Sequence, residues 1–210
     1  MTAKLAEVRR LLDRYLIEVV EEFGLCPWAR TARTGGELAV DVLWGQPSLL
    51  DWVESAQALL DRPQTRVAMV IAPELDAAPR KLRDIRNTVA TALDGVGIAD
   101  FHPDAGMDAA TPARLVPALR RSPDPLLQLV PLKLLDSVRA TKTVIDREDV
   151  IKIIAGKMAP PRGDIGDIIA SDNHARVVGD TDNFVARIGA IAEDRRQSYA
   201  RAGIMINTGR

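Results

Sequence analysis

The chain of 210 residues has 28 Lys and Arg against 29 Asp and Glu, a formal charge of −1, with 47% apolar, 27% charged and 4% aromatic residues. That apolar content suits one ordinary globular domain, excludes disorder over most of the length, and removes the electrostatic warrant for wholesale binding to nucleic acid or an anionic membrane. A single cysteine cannot close an intramolecular disulfide, and neither an 18-residue apolar run nor a charged-then-apolar leader is found, so a cytoplasmic protein without membrane partners is expected.

The first segment places Leu5, Val8, Leu12, Tyr15, Val19 and Phe23 at spacings of three and four, the pattern of an amphipathic helix. Thr2 suits its N-cap and Gly24 its left-handed end, ahead of Cys26-Pro27. Thr31 to Gly36 reads as a loop. The alternating stretch Leu38 to Trp44 predicts a strand, and Ser48 with Asp51 predicts a capping box opening a helix from about Leu49 to Leu60. Val67 to Ala72 is continuously apolar, as expected of a strand buried on both faces. Leu82, Ile85, Val89 and Leu93 mark a third helix that stops at Gly95, followed by a short strand from Ile98 to Phe101.

Beyond residue 105, Thr111-Pro112 opens a helix through Leu119 and Arg121-Ser122-Pro123-Asp124-Pro125 forbids regular structure. Leu126 to Val130 is a fourth and weaker strand candidate, and helical periodicity resumes from Leu132. Val150, Ile153, Ile154 and Met158 mark a further helix, residues 159 to 164 a surface linker, and Phe184, Ile188 and Ile191 a last helix to about Arg201. Strands alternating with helices predict an α/β (or α+β) fold, with a small sheet of three to four strands covered by helices. Residues 1–145 form the expected core. Residues 146–210 are expected to be a helical extension packed on the core's third helix and the Arg121 loop, in one domain overall, because about 65 residues lie near the lower limit for folding alone. The apolar triplet Ile204-Met205-Ile206 is expected to dock on the core or on a second subunit.

Imidazole chemistry must run through His102 or His174, and thiol chemistry through Cys26. Cys26 sits at a helix end, where a side chain can project over a sheet edge, although a small buried hydrophobe is the competing reading. The negative end of the helix dipole disfavours its thiolate, an effect that Arg30 and Arg33 could offset. His102 and Asp104 follow a strand's C-terminal end, where open α/β sheets bind ligands, but a hydrogen-bonded structural histidine fits the same position. His174 reads as exposed loop. Arg120 and Arg121, with Ser122 in a proline-stiffened loop, suit a carboxylate or phosphate, or simply a solvated helix end. No P-loop, Gly-x-Gly-x-x-Gly, paired-Cys zinc site, Gly-x-Ser-x-Gly elbow or His-Glu-x-x-His is present.

Three stretches, Leu25-Cys26-Pro27-Trp28-Ala29, Phe101-His102-Pro103 and Arg121-Ser122-Pro123-Asp124-Pro125, follow one another in an order that resembles the bacterial domain-of-unknown-function family DUF1415 over about residues 8 to 138. The chain departs from that pattern at three places: Asp100 replaces a serine, Arg120 an asparagine and Asp124 an aromatic residue. The resemblance implies that Cys26, His102 and Arg121 are the positions matching the family pattern; it implies no activity.

The expectation drawn from these residues is a small-molecule enzyme whose catalytic groups are Cys26, His102 and Asp104 and whose substrate-binding groups are Trp28, Arg30, Arg120, Arg121 and Ser122. Without a metal, Cys26 is the nucleophile, His102 the general base and Arg121 the anchor. With haem or a transition metal, Cys26 or His102 is the ligand. A haem- or metal-binding sensor without turnover and a non-catalytic interaction protein are the alternatives. Cys26 and His102 are expected to share one cleft.

Overall fold

A computed structural model describes residues 2–26, 29–133 and 165–206. Trp28, the helix expected around Val150 to Met158, the linker expected at 159–164, and the boundary at 145/146 lie outside the described residues.

Helix α1 spans Ala3–Tyr15, and Thr2 Oγ1 accepts the Leu5 N–H at 3.4 Å as its cap. The chain continues through Leu16–Glu21 as a wider π-helical turn, with i to i+5 bonds such as Leu25 N–H to the Val20 carbonyl at 2.8 Å. Gly24 ends it at φ +60°, a left-handed backbone that favours glycine, and Arg176 Nη1 donates to the Gly24 carbonyl at 3.1 Å. The segment after Cys26 is not the expected loop. Ala29–Thr34 forms a short helix, α2, because Arg30 and Arg33, one turn apart, both reach the buried carboxylate of Glu21.

Strand β1 (Leu38–Val42) leads to α3 (Leu49–Leu60), where both hydrogen bonds of the Ser48–Asp51 capping box form. Strand β2 (Val67–Ile71) is buried at every position. Helix α4 (Pro79–Ala92) precedes β3 (Val96–Phe101), α5 (Pro112–Leu119) precedes β4 (Leu126–Pro131), and α6 (Ile165–Gly179) and α7 (Thr181–Ala202) complete the described chain. The result is an α/β fold.

The sheet runs β1-β2-β4-β3, with β1 and β2 parallel and β4 antiparallel to both β2 and β3. The strand that looks weakest in sequence is therefore internal. Nothing local announces this, since its partners Ala68 to Ile71 and Val96 to Phe101 are supplied from elsewhere in the chain. Alternation along the strands splits the core in two. Ala68, Val70, Leu127 and Leu129 face Trp52 and Leu59 of α3 and Leu82 and Val89 of α4. Val67, Met69, Leu126 and Val130 face the layer that contains α1, α5 and α7.

The last helix packs on α1 and not on α4, the third helix of the core and the surface expected for the C-terminal extension. Phe184, Ile191 and Tyr199 bury against the α1 side of the core, Phe184 meets Phe23 edge-to-face at 5.3 Å, and Arg10 and Arg14 both bond Asp194 at 2.8 Å. The Arg121 loop is the other surface it covers, through Asp124. Ile204 is buried and Ile206 packs against the same cluster, while Met205 between them is 76% exposed.

Candidate functional site

Two cavities lie on the α1 face of the sheet, and Tyr15 lines both. The larger, about 310 Å³, is within the size range of small-molecule pockets. Its floor is the sheet, at Met69 on β2, Ala99 and Phe101 on β3, and Leu126 and Gln128 on β4. Its walls come from the π-helical turn and α2 on one side and from Leu119 and Arg120 at the end of α5 on the other. Cys26 lines it, half-buried beside the Leu25 carbonyl that Asn173 Nδ2 holds at 3.2 Å.

Gln128 is the residue that sequence reasoning passed over. Its backbone pairs with Met69 and Ala99 across the sheet, and strand alternation turns its side chain to the cavity face between Leu126 and Val130. Among the described residues its amide makes no hydrogen bond. It is a half-buried polar group facing an otherwise largely apolar cavity floor. The sequence does carry a signal: one amide interrupting Leu126-Leu127-Gln128-Leu129-Val130.

The structure divides the expected site residues rather than gathering them. Cys26 and Arg120 line the first cavity, whereas Asp104, Arg121 and Ser122 line a second of about 200 Å³ against Ile188, Ile191 and Arg195 of α7. His102 lines neither, so the expected shared cleft with Cys26 does not form. Its ring is 5% exposed, Nδ1 accepts the Asp104 N–H at 3.0 Å, and the Ala77 carbonyl lies 2.7 Å from Nε2. Only the neutral ring protonated on Nε2 satisfies both contacts, and it leaves no lone pair for a metal or for general base work. Asp104 supplies that backbone N–H, while its carboxylate is 70% exposed.

Burial holds the His102 pKa below its ordinary 6.5, with Ala77 and the carboxylates of Asp104 and Asp100 opposing the shift and Arg195 adding to it. The unfolded chain then takes up a proton that the folded protein excludes. The contribution of His102 to stability is complete above pH 6.5 and is lost as the pH falls through the depressed folded value. Urea titrations at about pH 7.5, 6.5 and 5.5 are expected to show falling stability over this range, and a flatter profile in His102→Gln; identical profiles for the two proteins would contradict a buried neutral ring.

The remaining arginines are committed to structure to different degrees. Arg30 and Arg33 bond Glu21, whose carboxyl is held below its usual range chiefly by the Arg33 hydrogen bond. Arg121 Nε donates to the Pro103 carbonyl at 2.8 Å, and Ser122 Oγ donates to the Asp124 carbonyl. Asp124 itself is buried and accepts from Arg195 Nε at 2.8 Å and from the Tyr199 hydroxyl at 2.6 Å. Asp100 lies 3.6 Å from Arg120 in an ion pair. His174 is in helix α6, not in a loop, with Nε2 3.0 Å from the Ala109 carbonyl.

Among the described residues no group of three or more His, Cys, Asp and Glu side chains is arranged to hold a metal ion, and no helix is long and apolar enough to cross a membrane. Fold and site together define an α/β protein with a mixed four-stranded sheet and an apolar cavity over one face. Comparison with protein-family models, curated proteins and solved structures finds no match to this chain.

Proposed function

We propose that the protein binds a small, mostly apolar molecule over the sheet, with Gln128 recognising its polar end. The Gln128 amide on the cavity floor, unpartnered among the described residues, carries this reading. A primary amide offers a donor and an acceptor together, so it matches a ligand group that offers both, such as an amide, a carboxylic acid or an alcohol. Leu16, Val20, Leu25, Met69 and Phe101 supply the apolar enclosure. Octanamide and 1-octanol serve as probes. Either should raise the melting temperature of the wild-type protein in a concentration-dependent way. Gln128→Leu should bind octanamide about 5–10-fold more weakly, the worth of one neutral hydrogen bond, without melting lower than wild type. Equal octanamide affinity in the two proteins would refute the assigned role of Gln128, as would a large loss of stability in the variant, which would make the amide structural.

Covalent chemistry on the bound molecule is the second reading, favoured by the position of Cys26 on the wall of the same cavity. It retains Cys26 as nucleophile for acyl or group transfer and assigns no base to His102. Under it Cys26→Ser abolishes turnover and leaves octanamide binding within about twofold.

A further inference from the structure

Asp100 leaves β3 on the face opposite the cavity and is 7% exposed, and three guanidinium groups converge on it. Arg86 Nε is 3.3 Å from Oδ1, Arg120 Nη1 3.6 Å from Oδ1, and Arg83 Nε 3.7 Å from Oδ2. Arg83 and Arg86 lie one turn apart on α4, and Arg120 reaches them from the end of α5. Among the described residues, three positive charges are set against one carboxylate, which leaves two unbalanced. The donors are unspent as well: among the described residues the three side chains make a single hydrogen bond, from Arg86 Nε to Asp100. A stabilising surface ion pair needs one arginine, and placing two more beside it costs repulsion that a bound anion would relieve.

We propose that Arg83, Arg86 and Arg120 form a binding site for a tetrahedral dianion, a phosphate or the phosphoryl group of a phosphomonoester. The excess charge matches a dianion, and guanidinium forks match its paired oxygens. Asp100 acts as the post that holds the three side chains together from below. Burial lowers the Arg120 pKa, with Asp100 opposing the shift and Arg86 and Arg83 adding to it. Arg120 also borders the cavity, but Arg83 and Arg86 do not, and the test uses only those two.

The test is binding of inorganic phosphate and of phenyl phosphate to the full chain, followed by calorimetry and melting temperature against sodium chloride at matched ionic strength. Both phosphates should bind saturably with chloride ineffective; tighter binding of phenyl phosphate assigns the site to phosphomonoesters, and equal binding assigns it to the free anion. Arg83→Gln and Arg86→Gln should each weaken phosphate at least about fivefold. Arg62→Gln, an exposed arginine on another loop, should leave it unchanged. Arg83 is 55% exposed and its loss should not unfold the protein, so it keeps the test decisive if Arg86→Gln folds poorly. No effect of phosphate beyond that of chloride, or equal affinity in wild type and Arg83→Gln, would overturn the proposal.

Discussion

Replacing Arg195 by methionine should lower the stability of the protein by about 3–5 kcal/mol, the cost of leaving a buried charge without its partner. Asp124 lies in the Pro123-Asp124-Pro125 turn with 4% of its side chain exposed, and Arg195 is 12% exposed. One carboxylate oxygen takes Arg195 Nε and the other takes the Tyr199 hydroxyl, while Arg195 Nη2 donates to the Pro73 carbonyl at 3.2 Å. The guanidinium also lies 5.1 Å from the centroid of the Tyr199 ring. Methionine keeps much of the apolar stem but leaves Asp124 with only a neutral donor. Asp124→Leu combined with Arg195→Met should recover much of the loss, because removing both charges removes the desolvation cost that either alone incurs. Urea unfolding of the single and double variants checks this. A loss below about 1 kcal/mol in the single variant would show that the pair is solvated and that α7 is not fastened to the sheet's end through it.

The second large effect is expected at the heart of the sheet. Leu127→Ala should cost about 2–5 kcal/mol, since the side chain is 0% exposed on an internal strand and its removal leaves a void between the sheet and the α3–α4 layer. Ile98→Ala, on the edge strand β3 and only partly buried in the same cluster, should cost less. The order of the two midpoints in urea reports whether β4 lies between β2 and β3. If Ile98→Ala proved the more damaging, the strand order would be wrong.

What the sequence discloses here is what short-range chemistry determines. Thr2 as a cap, the Ser48–Asp51 box, the end of the first helix at Gly24 and the full burial of Val67 to Ile71 each follow from a few neighbouring residues, and each is found. The α/β class follows from alternation of the two periodicities. The internal place of β4 does not, because its partners come from chain segments about 60 and 30 residues earlier, and a short run between two prolines says nothing about what pairs with it. Helix α2 was hidden for a related reason: its arginines are satisfied by Glu21, on the preceding helical segment. The reading of the site fails in the same way. A histidine after a strand is legible as a candidate, but its role is decided by the Ala77 carbonyl, which the fold delivers from 25 residues away. Gln128 is conspicuous only once the strand's two faces are known, and Asp100 only once Arg83, Arg86 and Arg120 surround it.

Cys26 is the single cysteine of the chain, so its reaction with a thiol reagent reads the cavity at one known point on the wall. The rate of modification by a dithiobis-nitrobenzoate reagent, measured against octanamide concentration, tests the cavity most directly. Octanamide should slow the reaction saturably in the wild-type protein, Gln128→Leu should need about 5–10 times more octanamide for the same protection, and filling the floor with Ala99→Phe should abolish protection. A modification rate independent of octanamide in the wild-type protein, or protection that survives Ala99→Phe undiminished, would contradict a ligand site over the sheet.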